Sequence, residues 1–334
     1  MINPLHNCIV NKNTTTNPIW FMRQAGRYLP EFREIRKSNP NFINLCLNKN
    51  LASEITLQPL RRFNLSAAII FSDILMIPFG LDQIVNFKKN FGPELEDFNI
   101  KNLNEFDEKK FIKKLNPIYN CIKKTKSNSL LKNKNLIGFI GAPWTLLVYM
   151  INKKSPKKKI DMNSFSNTTL INNILKVLDK FLKIHVENQI KNGADIIQIF
   201  DSWSGLLDEK DLYKYVYNPT LSIVNFIKTK NIPVICFPRG IKNYKKYIDF
   251  VKPDAISIDY EVDPLLIKKE ITIPVQGGLN PNVLLSDKEN IKREALKYLD
   301  IFKDHPYIFN LGHGVLPETN PMMVDYLVKL VNDY

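Results

Sequence analysis

The sequence predicts a single α/β domain over residues 1–334, a (β/α)8 TIM-type barrel whose parallel strands alternate with surrounding helices. The first observation is a series of short apolar runs rich in β-branched residues, which is typical of parallel strands buried on both faces. The second is that helical patterns separate these runs without a change of composition. A weaker eighth run covers residues 19–22, and the seven clear runs are residues 67–71, 136–140, 195–200, 233–237, 255–259, 274–276 and 307–311.

The helices are predicted from apolar residues that recur at helical spacing, such as Ile171, Ile174 and Leu178. The last helix has Asn320 as its N-cap and Pro321 at its first position, where proline is favoured. Residues 74–135 are too long for one strand-to-helix connection, so we expect an extra hairpin near residues 80–91 and a helix near 105–123. The clearest helices are residues 169–191, 210–228, 288–303 and 321–331.

A doubly wound parallel sheet is the alternative fold with the same alternation of strands and helices. That fold would place a glycine-rich phosphate loop after an early strand. The chain contains neither G-x-G-x-x-G nor G-x-x-x-x-G-K-[ST], so the barrel is favoured.

Composition excludes several classes of protein. A hydrophobic content of 44% and a charged content of 24% are ordinary for a folded domain. No run approaches the roughly 18 uninterrupted apolar residues of a membrane helix, so no membrane partner is expected. Residues 1–16 lack the apolar core of a signal peptide, and we expect them to be a flexible N-terminal segment. Four widely spaced cysteines indicate free thiols in a reducing compartment, and no structural zinc site is expected.

The positive charges divide into a lysine background and an arginine cluster. Eight of the 47 basic residues are arginine, and the net charge is +14. Lysine, asparagine and isoleucine are abundant throughout, so a lysine run such as residues 153–159 predicts a solvated loop and not a nucleic-acid partner. Four of the eight arginines fall within residues 23–36. Because a guanidinium binds carboxylates or phosphates in a bidentate way that lysine cannot, this cluster predicts an anion-binding site.

Polar residues follow most of the predicted strands, at the end where barrel enzymes build their active sites. The chain has no H-x-H, H-E-x-x-H or G-x-S-x-G motif. Arginines, isolated carboxylates and one glycine-flanked histidine fit an enzyme that binds a multiply charged anionic metabolite and stabilises developing positive charge with a carboxylate, with no metal evident. These polar residues are Asp73, Asp201, Ser202, Arg239, Asp259, Gln276 and His313.

Six sequence blocks closely resemble those of the uroporphyrinogen decarboxylase family. They occur in order and extend from Pro18 to Pro321, and the first block alone is highly specific. The blocks are residues 18–32 (PIWFMRQAGRYLPEF), 71–75 (FSDIL), 141–146 (GAPWTL), 200–203 (FDSW), 276–281 (QGGLNP) and 309–315 (FNLGHGV).

The resemblance implies a single-domain barrel that usually acts as a homodimer. The location it implies, and the one we expect, is the cytoplasm, with a plastid as the alternative if the chain were targeted there. It implies that the four acetate side chains of uroporphyrinogen III lose CO₂ and become methyl groups, giving coproporphyrinogen III for haem biosynthesis. Family members use no metal and no organic cofactor, so none is expected here.

The resemblance also implies the site residues. Asp73 is expected to accept the pyrrole N–H groups and stabilise a ring cation, and Tyr149 to hydrogen-bond near the reacting acetate or Asp73. Arg23, or a water that it holds, is expected to deliver protons, so the catalytic set is Asp73, Arg23 and Tyr149. Substrate contacts are expected from Arg23, Arg27, Arg36, Asp73, Tyr149, Phe200, Ser202 and His313.

Two other functions stay open beside this one. A corrinoid-linked methyltransferase of the same superfamily would need a zinc ion bound by His and Cys, and Cys236 has no nearby His in sequence. A non-catalytic tetrapyrrole-binding protein would be expected to lose Asp73 or Arg23. One position departs from the family pattern, because Ser66 stands where Asp is common, and this puts some local hydrogen bonding in question but not the activity.

Overall fold

The computed structural model describes residues 3–88, 92–98, 106–156 and 159–334. Within these ranges, seven parallel strands pair in chain order to form one curled sheet, and helices surround it. All seven predicted strands are confirmed, although several end earlier than the apolar runs do. A separate antiparallel hairpin joins β2 and β3. The strands are β1 (Ala67–Ile69), β2 (Val85–Lys88), β3 (Gly92–Leu95), β4 (Asn135–Gly141), β5 (Ile196–Asp201), β6 (Val234–Pro238), β7 (Ala255–Ile258), β8 (Val275–Gly277) and β9 (Tyr307–Ile308).

Residues 18–20 close the barrel between its two edge strands, at the position of the predicted eighth strand. Phe309 N donates to Pro18 O at 2.9 Å, and Trp20 N donates to Phe309 O at 3.3 Å. On the other side, Ser66 N donates to Ile19 O at 2.8 Å. The Ser66 hydroxyl also accepts a hydrogen bond from Ile19 N at 3.0 Å, so serine at this position takes part in the closure.

Helix α1 (Pro4–Val10) packs beneath the amino-terminal end of the barrel. Leu5, Cys8 and Ile9 are buried among the inward-facing residues of the strands. Asn135 Oδ1, at the start of β4, accepts a hydrogen bond from Leu5 N at 3.2 Å. The expectation of a flexible segment over residues 1–16 is therefore corrected for residues 4–10, which form a packed helix against an apolar surface that the barrel provides.

The predicted helices are present, and one of them is divided. The helices after α1 are α2 (Pro30–Ser38), α3 (Phe42–Cys46), α4 (Lys49–Arg62), α5 (Met76–Gly80), α6 (Glu108–Lys126), α7 (Pro143–Asn152), α8 (Thr168–Lys191), α9 (Glu209–Leu212), α10 (Asn218–Lys228), α11 (Tyr244–Val251), α12 (Pro264–Glu270), α13 (Lys288–Ile301) and α14 (Pro321–Asp333). The helix predicted over residues 210–228 contains a π-helical turn, Tyr213–Tyr217, before α10. Pro219 lies in the first turn of α10. Because proline has no N–H, it cannot donate a helical hydrogen bond to a carbonyl of the preceding turn.

The long connection between β1 and β4 contains the expected hairpin and helix. The hairpin is formed by β2 and β3, and α6 begins at Glu108. Glu105 of the predicted helix lies outside the described residues, as do Lys157 and Lys158 of the lysine run. Among the described helices, none combines the length and apolar character that crossing a membrane requires.

Candidate active site

Two buried amide side chains hold the loop that follows residues 18–20. Gln24 accepts a hydrogen bond from a backbone N–H of this loop and donates to a carbonyl of β1, both at 3.1 Å. Asn310 Oδ1 accepts from Met22 N at 3.2 Å. These bonds support Arg23 in the left-handed region at a φ of 60°, a conformation that costs a residue with a Cβ roughly 1–2 kcal/mol. Backbone held in this way is common at functional sites.

Asp73 lies just beyond β1, at the carboxyl end of the barrel. Its Oδ1 accepts a hydrogen bond from Leu75 N at 2.8 Å. Burial raises the pKa of Asp73 from 3.8 to about 6, while the Leu75 N–H and the positive charge of Arg23 act in the opposite direction. The side chain keeps partial access to solvent. The region around Asp73 and Arg23, at the carboxyl ends of the strands, is called the cleft below. In such a poorly hydrated place a carboxylate interacts strongly with a bound cation.

Arg23 is close enough to Asp73 for the two charges to affect each other. Burial lowers the pKa of the Arg23 guanidinium, and the Asp73 carboxylate opposes that change. The like charges of Arg27 and Arg239 lower the pKa further. Arg23 therefore lies within electrostatic range of two other guanidinium groups and of one carboxylate.

Tyr149 on α7 borders the same cleft. Its hydroxyl forms a hydrogen bond with Ser155 Oγ at 3.2 Å. Asp73, one of the two partners expected for Tyr149, is not the partner in this structure. Burial raises the pKa of Tyr149, and the hydrogen bond to Ser155 opposes this. The Tyr149 ring also packs edge-on against Trp203, with centroids 5.9 Å apart. Ser202 directly precedes Trp203 in the chain and is partly exposed.

His313 lies opposite Arg23, between Gly312 and Gly314. Burial, together with the nearby charges of Arg23 and Arg239, lowers the pKa of His313 to about 4. The imidazole is therefore neutral at pH 7. In that form it offers one N–H donor and one acceptor to a ligand.

The eight arginines fall into two groups, those with a hydrogen-bond partner in the protein and those without one. Arg33 and Arg36 donate to backbone carbonyls, and Arg61, Arg62 and Arg293 each pair with a glutamate. Within the described part of the chain, the side chains of the remaining three make no hydrogen bond or ion pair. These three are Arg23, Arg27 and Arg239. The charge of Arg23 acts on Asp73, and the charges of Arg23 and Arg239 act on His313. Their donors are available to an anion from outside the protein.

Two predicted substrate contacts are placed differently from the rest. Arg36 donates to Asn39 O at 2.7 Å, and its guanidinium lies 5.5 Å above the Phe42 ring. Burial lowers the pKa of Arg36, as does the neighbouring charge of Arg27, so Arg36 borders the arginine group. Phe200 lies in the barrel, with its ring centroid 5.7 Å from that of Phe139. Phe200 is half-buried and packs against the apolar cluster inside the barrel.

Three of the polar strand ends have structural partners. Asp259 accepts hydrogen bonds from Gly240 N and Glu261 N, which tie two loops together. Gln276 is buried inside the barrel, where it donates to Gln198 Oε1 at 3.1 Å. Asp201 is buried and its Oδ1 accepts a hydrogen bond from the Thr145 hydroxyl at 2.6 Å. Burial raises the pKa of Asp201 to about 7, against the effect of that bond.

Some contributors to the cleft were absent from the expected site residues. Arg239 was recognised as a strand end but was not assigned a substrate contact. Arginine is rare in this lysine-rich chain, and that rarity could have marked Arg239 as a further substrate contact. Gln24 and Asn310 act on the backbone of the Arg23 loop, and no motif of one sequence indicates which carbonyl a distant amide contacts.

The candidate zinc ligand of the methyltransferase alternative is not suited to that role. Cys236 is fully buried, and burial raises the pKa of its thiol to about 12. A metal ligand must be the thiolate, which this environment disfavours. Across the described ranges, no group of three or more His, Cys, Asp or Glu side chains is arranged to hold a metal ion.

The fold and the cleft together define a (β/α)8-barrel protein with an arginine-rich site at the carboxyl ends of its strands. A family model described as uroporphyrinogen decarboxylase matches residues 3–334. The chain belongs to the uroporphyrinogen decarboxylase family.

Comparisons with individual proteins agree with this assignment. The chain is 42% identical to the uroporphyrinogen decarboxylase of Rickettsia felis, covering 100% of this chain and 96% of the relative. It is 44% identical to that of Orientia tsutsugamushi, covering 97% and 96%. Among solved structures, a methyltransferase from Methanosarcina mazei has a TM-score of 0.79 at 13% identity, covering 98% of this chain and 96% of that one. At that identity the likeness concerns the fold alone.

Proposed function

We propose that this protein removes CO₂ from the four acetate side chains of uroporphyrinogen III and releases coproporphyrinogen III. The observation that carries the proposal is that the side chains of Arg23, Arg27 and Arg239 have no partner in the described chain, and that Arg23 interacts with Asp73 as well as with the charges of the other two arginines. A substrate with many carboxylates supplies the missing acceptors, because guanidinium groups bind carboxylates in bidentate geometry. The family and its relatives support the same reaction.

Asp73 is the residue that suits the electronic demand of the reaction. Loss of CO₂ from a pyrrole acetate leaves an electron pair that the ring must accept. A proton added to the adjacent ring carbon makes the ring a cation, and the C–CO₂ bond then breaks towards it. A second proton converts the exocyclic carbon to a methyl group, and loss of the first proton from the ring carbon restores the pyrrole. We assign to Asp73 the contact with the pyrrole N–H groups and the stabilisation of that cation, since a fixed opposite charge in a poorly hydrated site lowers the barrier.

The other residues divide into carboxylate binding and proton delivery. Arg27 and Ser202 would bind the remaining carboxylates, and His313 would do so through its N–H group as a neutral imidazole. Arg23, or a water that it holds, would supply protons. Tyr149 would hydrogen-bond the reacting acetate.

We further propose that the whole chain acts as one domain, in the cytoplasm and as a homodimer, on the family resemblance. Sedimentation of the purified protein at micromolar concentration tests the last point. A single species of twice the 38.8 kDa chain mass is expected. A species of the chain mass at all concentrations would contradict it.

Anaerobic turnover of uroporphyrinogen III tests the proposed reaction. We expect products with seven, six, five and finally four carboxylates, separated by chromatography after oxidation to porphyrins. Arg23→Ala should strongly reduce turnover. Arg61→Ala is the matched control, because Arg61 pairs with Glu54 on the surface and should leave the rate unchanged. An unaltered eight-carboxylate substrate after prolonged incubation would overturn the proposal.

A further inference from the structure

Gly314 lies directly against the side chain of Arg23. A methyl group added at Gly314 would meet Arg23 Cγ at 2.7 Å and Cβ at 3.1 Å, and Cδ is closer still. The three nearest atoms all belong to this one side chain. Heavy atoms in ordinary contact lie about 3.5–4.0 Å apart, so the aliphatic part of Arg23 passes over Gly314 where no larger residue leaves room.

The backbone of Gly314 does not require glycine. Its φ lies outside the left-handed region that Gly277, Gly278 and Gly240 occupy. The backbone at residue 314 would therefore accept alanine without strain. Glycine is needed there because any side chain would disturb the close contact with Arg23. The neighbouring Val315 N donates to Met22 O at 2.9 Å, which fixes the separation between the two segments.

We propose that Gly314 is a positioning residue for Arg23. It provides a flat surface that sets the path of the Arg23 side chain and so directs the guanidinium towards Asp73 and the substrate. The proposal deepens the proposed function and rests on it for the effect on turnover. The structural part, that Gly314 determines where Arg23 lies, stands independently of the substrate.

A clash at this contact would be relieved by movement of the Arg23 side chain. Arg23 has its backbone held by Gln24 and Asn310, at a strained φ of 60°. The peptide at Gly314 is held by the bond from Val315 to Met22. Because both backbones are fixed, a methyl group on residue 314 must displace the flexible side chain of Arg23. A displacement of about 1 Å in a catalytic group can reduce a rate by as much as 10²-fold.

The test is Gly314→Ala, examined first by crystallography. We expect an intact barrel and an Arg23 side chain displaced by about 1 Å or more at Cγ, since that shift restores an ordinary contact distance. An Arg23 side chain in its original position would overturn the proposal, whatever the enzyme does. This readout also separates the proposal from the proposed function, because it does not involve the substrate.

Binding of uroporphyrin III, the oxidised analogue, and turnover of uroporphyrinogen III then test the route of the effect. We expect Gly314→Ala to lower kcat/KM about 10- to 100-fold and to weaken uroporphyrin III binding. In an Arg23→Ala background, the same change should alter the Kd by less than about twofold, because coupled residues do not act additively. In a His313→Asn background it should keep its full effect.

Two results contradict the proposal at this stage. An equal loss of binding with and without Arg23 would mean that Gly314→Ala disturbs the loop as a whole. A loss that disappears in the His313→Asn background would mean that Gly314 acts through His313. A wild-type protein that binds uroporphyrin III but shows no turnover would instead contradict the proposed function and leave the binding cycle and the crystal structure as tests of Gly314.

Discussion

Replacing Asp73 with Asn should abolish most activity and at the same time stabilise the folded protein at neutral pH. Asn keeps the shape of the side chain and its acceptor for Leu75 N, which lies 2.8 Å from Asp73 Oδ1. It cannot balance a ring cation, and its NH₂ group would face the pyrrole N–H donors. Removal of one charge-stabilising group of this kind usually reduces kcat by about 10²–10³-fold.

The gain in stability follows from the raised pKa of Asp73. A pKa of about 6 in the folded protein against 3.8 for the free side chain corresponds to about 3 kcal/mol, at about 1.4 kcal/mol per pH unit. Because the folded pKa is the higher one, the folded state binds more protons between pH 4 and 6. Stability is therefore lost as the pH rises through that window. Partial exposure of Asp73 in the cleft reduces the figure, so about 1–3 kcal/mol is expected.

Thermal or urea unfolding at pH 4.5 and pH 7.5 measures this difference. Asp73→Asn should be more stable than the wild type at pH 7.5, with a smaller gap at pH 4.5. Glu54→Gln is the control, because the hydrogen bond from Arg61 lowers the pKa of Glu54 and its loss should not stabilise the protein. An Asp73→Asn variant that is less stable than wild type at pH 7.5, or that keeps normal kcat, would refute the reasoning.

Three further predictions concern the same cleft. Arg23→Lys and Arg27→Lys should each lower kcat/KM, since losing one charged hydrogen bond costs about 1.5–3 kcal/mol. Arg61→Lys on the surface is the control and should leave kcat/KM unchanged. Full activity in both cleft variants would mean that bidentate binding has no role. The pH profile of kcat/KM should fall below about pH 6 as the carboxylate of Asp73 is protonated, and a profile that is flat from pH 5 to 8 would contradict its assignment. Thr145→Val removes the hydroxyl that donates to the buried carboxylate of Asp201 at 2.6 Å. This change should lower the free energy of unfolding at pH 8 by about 1–3 kcal/mol. Unchanged denaturation curves would show that this hydrogen bond is not needed for stability.

The strands of the barrel could be predicted because each is a continuous apolar run with its own boundaries. The closing residues 18–20 are harder to predict, since their pairing with Phe309 and Ser66 depends on both edge strands being in place. Helix α1 could not be predicted from its own seven residues. Its Leu5, Cys8 and Ile9 are buried only because the distant strands leave an apolar end to cover.

The position of the site could also be predicted, but not its internal bonding. Scarce arginines and strand-end carboxylates indicated the cleft, and Asp73, Arg23 and His313 do lie close together there. The hydrogen bond of Tyr149 to Ser155 depends on how the segment after α7 returns to the cleft. The contact between Gly314 and Arg23 joins residues nearly 300 positions apart. No local pattern encodes such a contact.

The most direct test of the central claim is turnover without any added cofactor. The claim is that the pyrrole ring itself accepts the electrons and that Asp73 stabilises the resulting cation, so that no metal or organic cofactor is required. Purified protein is dialysed against EDTA, its metal content is measured, and it is then supplied with uroporphyrinogen III under anaerobic conditions. We expect coproporphyrinogen III and released CO₂ in a ratio of one to four, at a rate unchanged by dialysis. A rate that collapses on dialysis and returns with added metal or an organic cofactor would contradict the account.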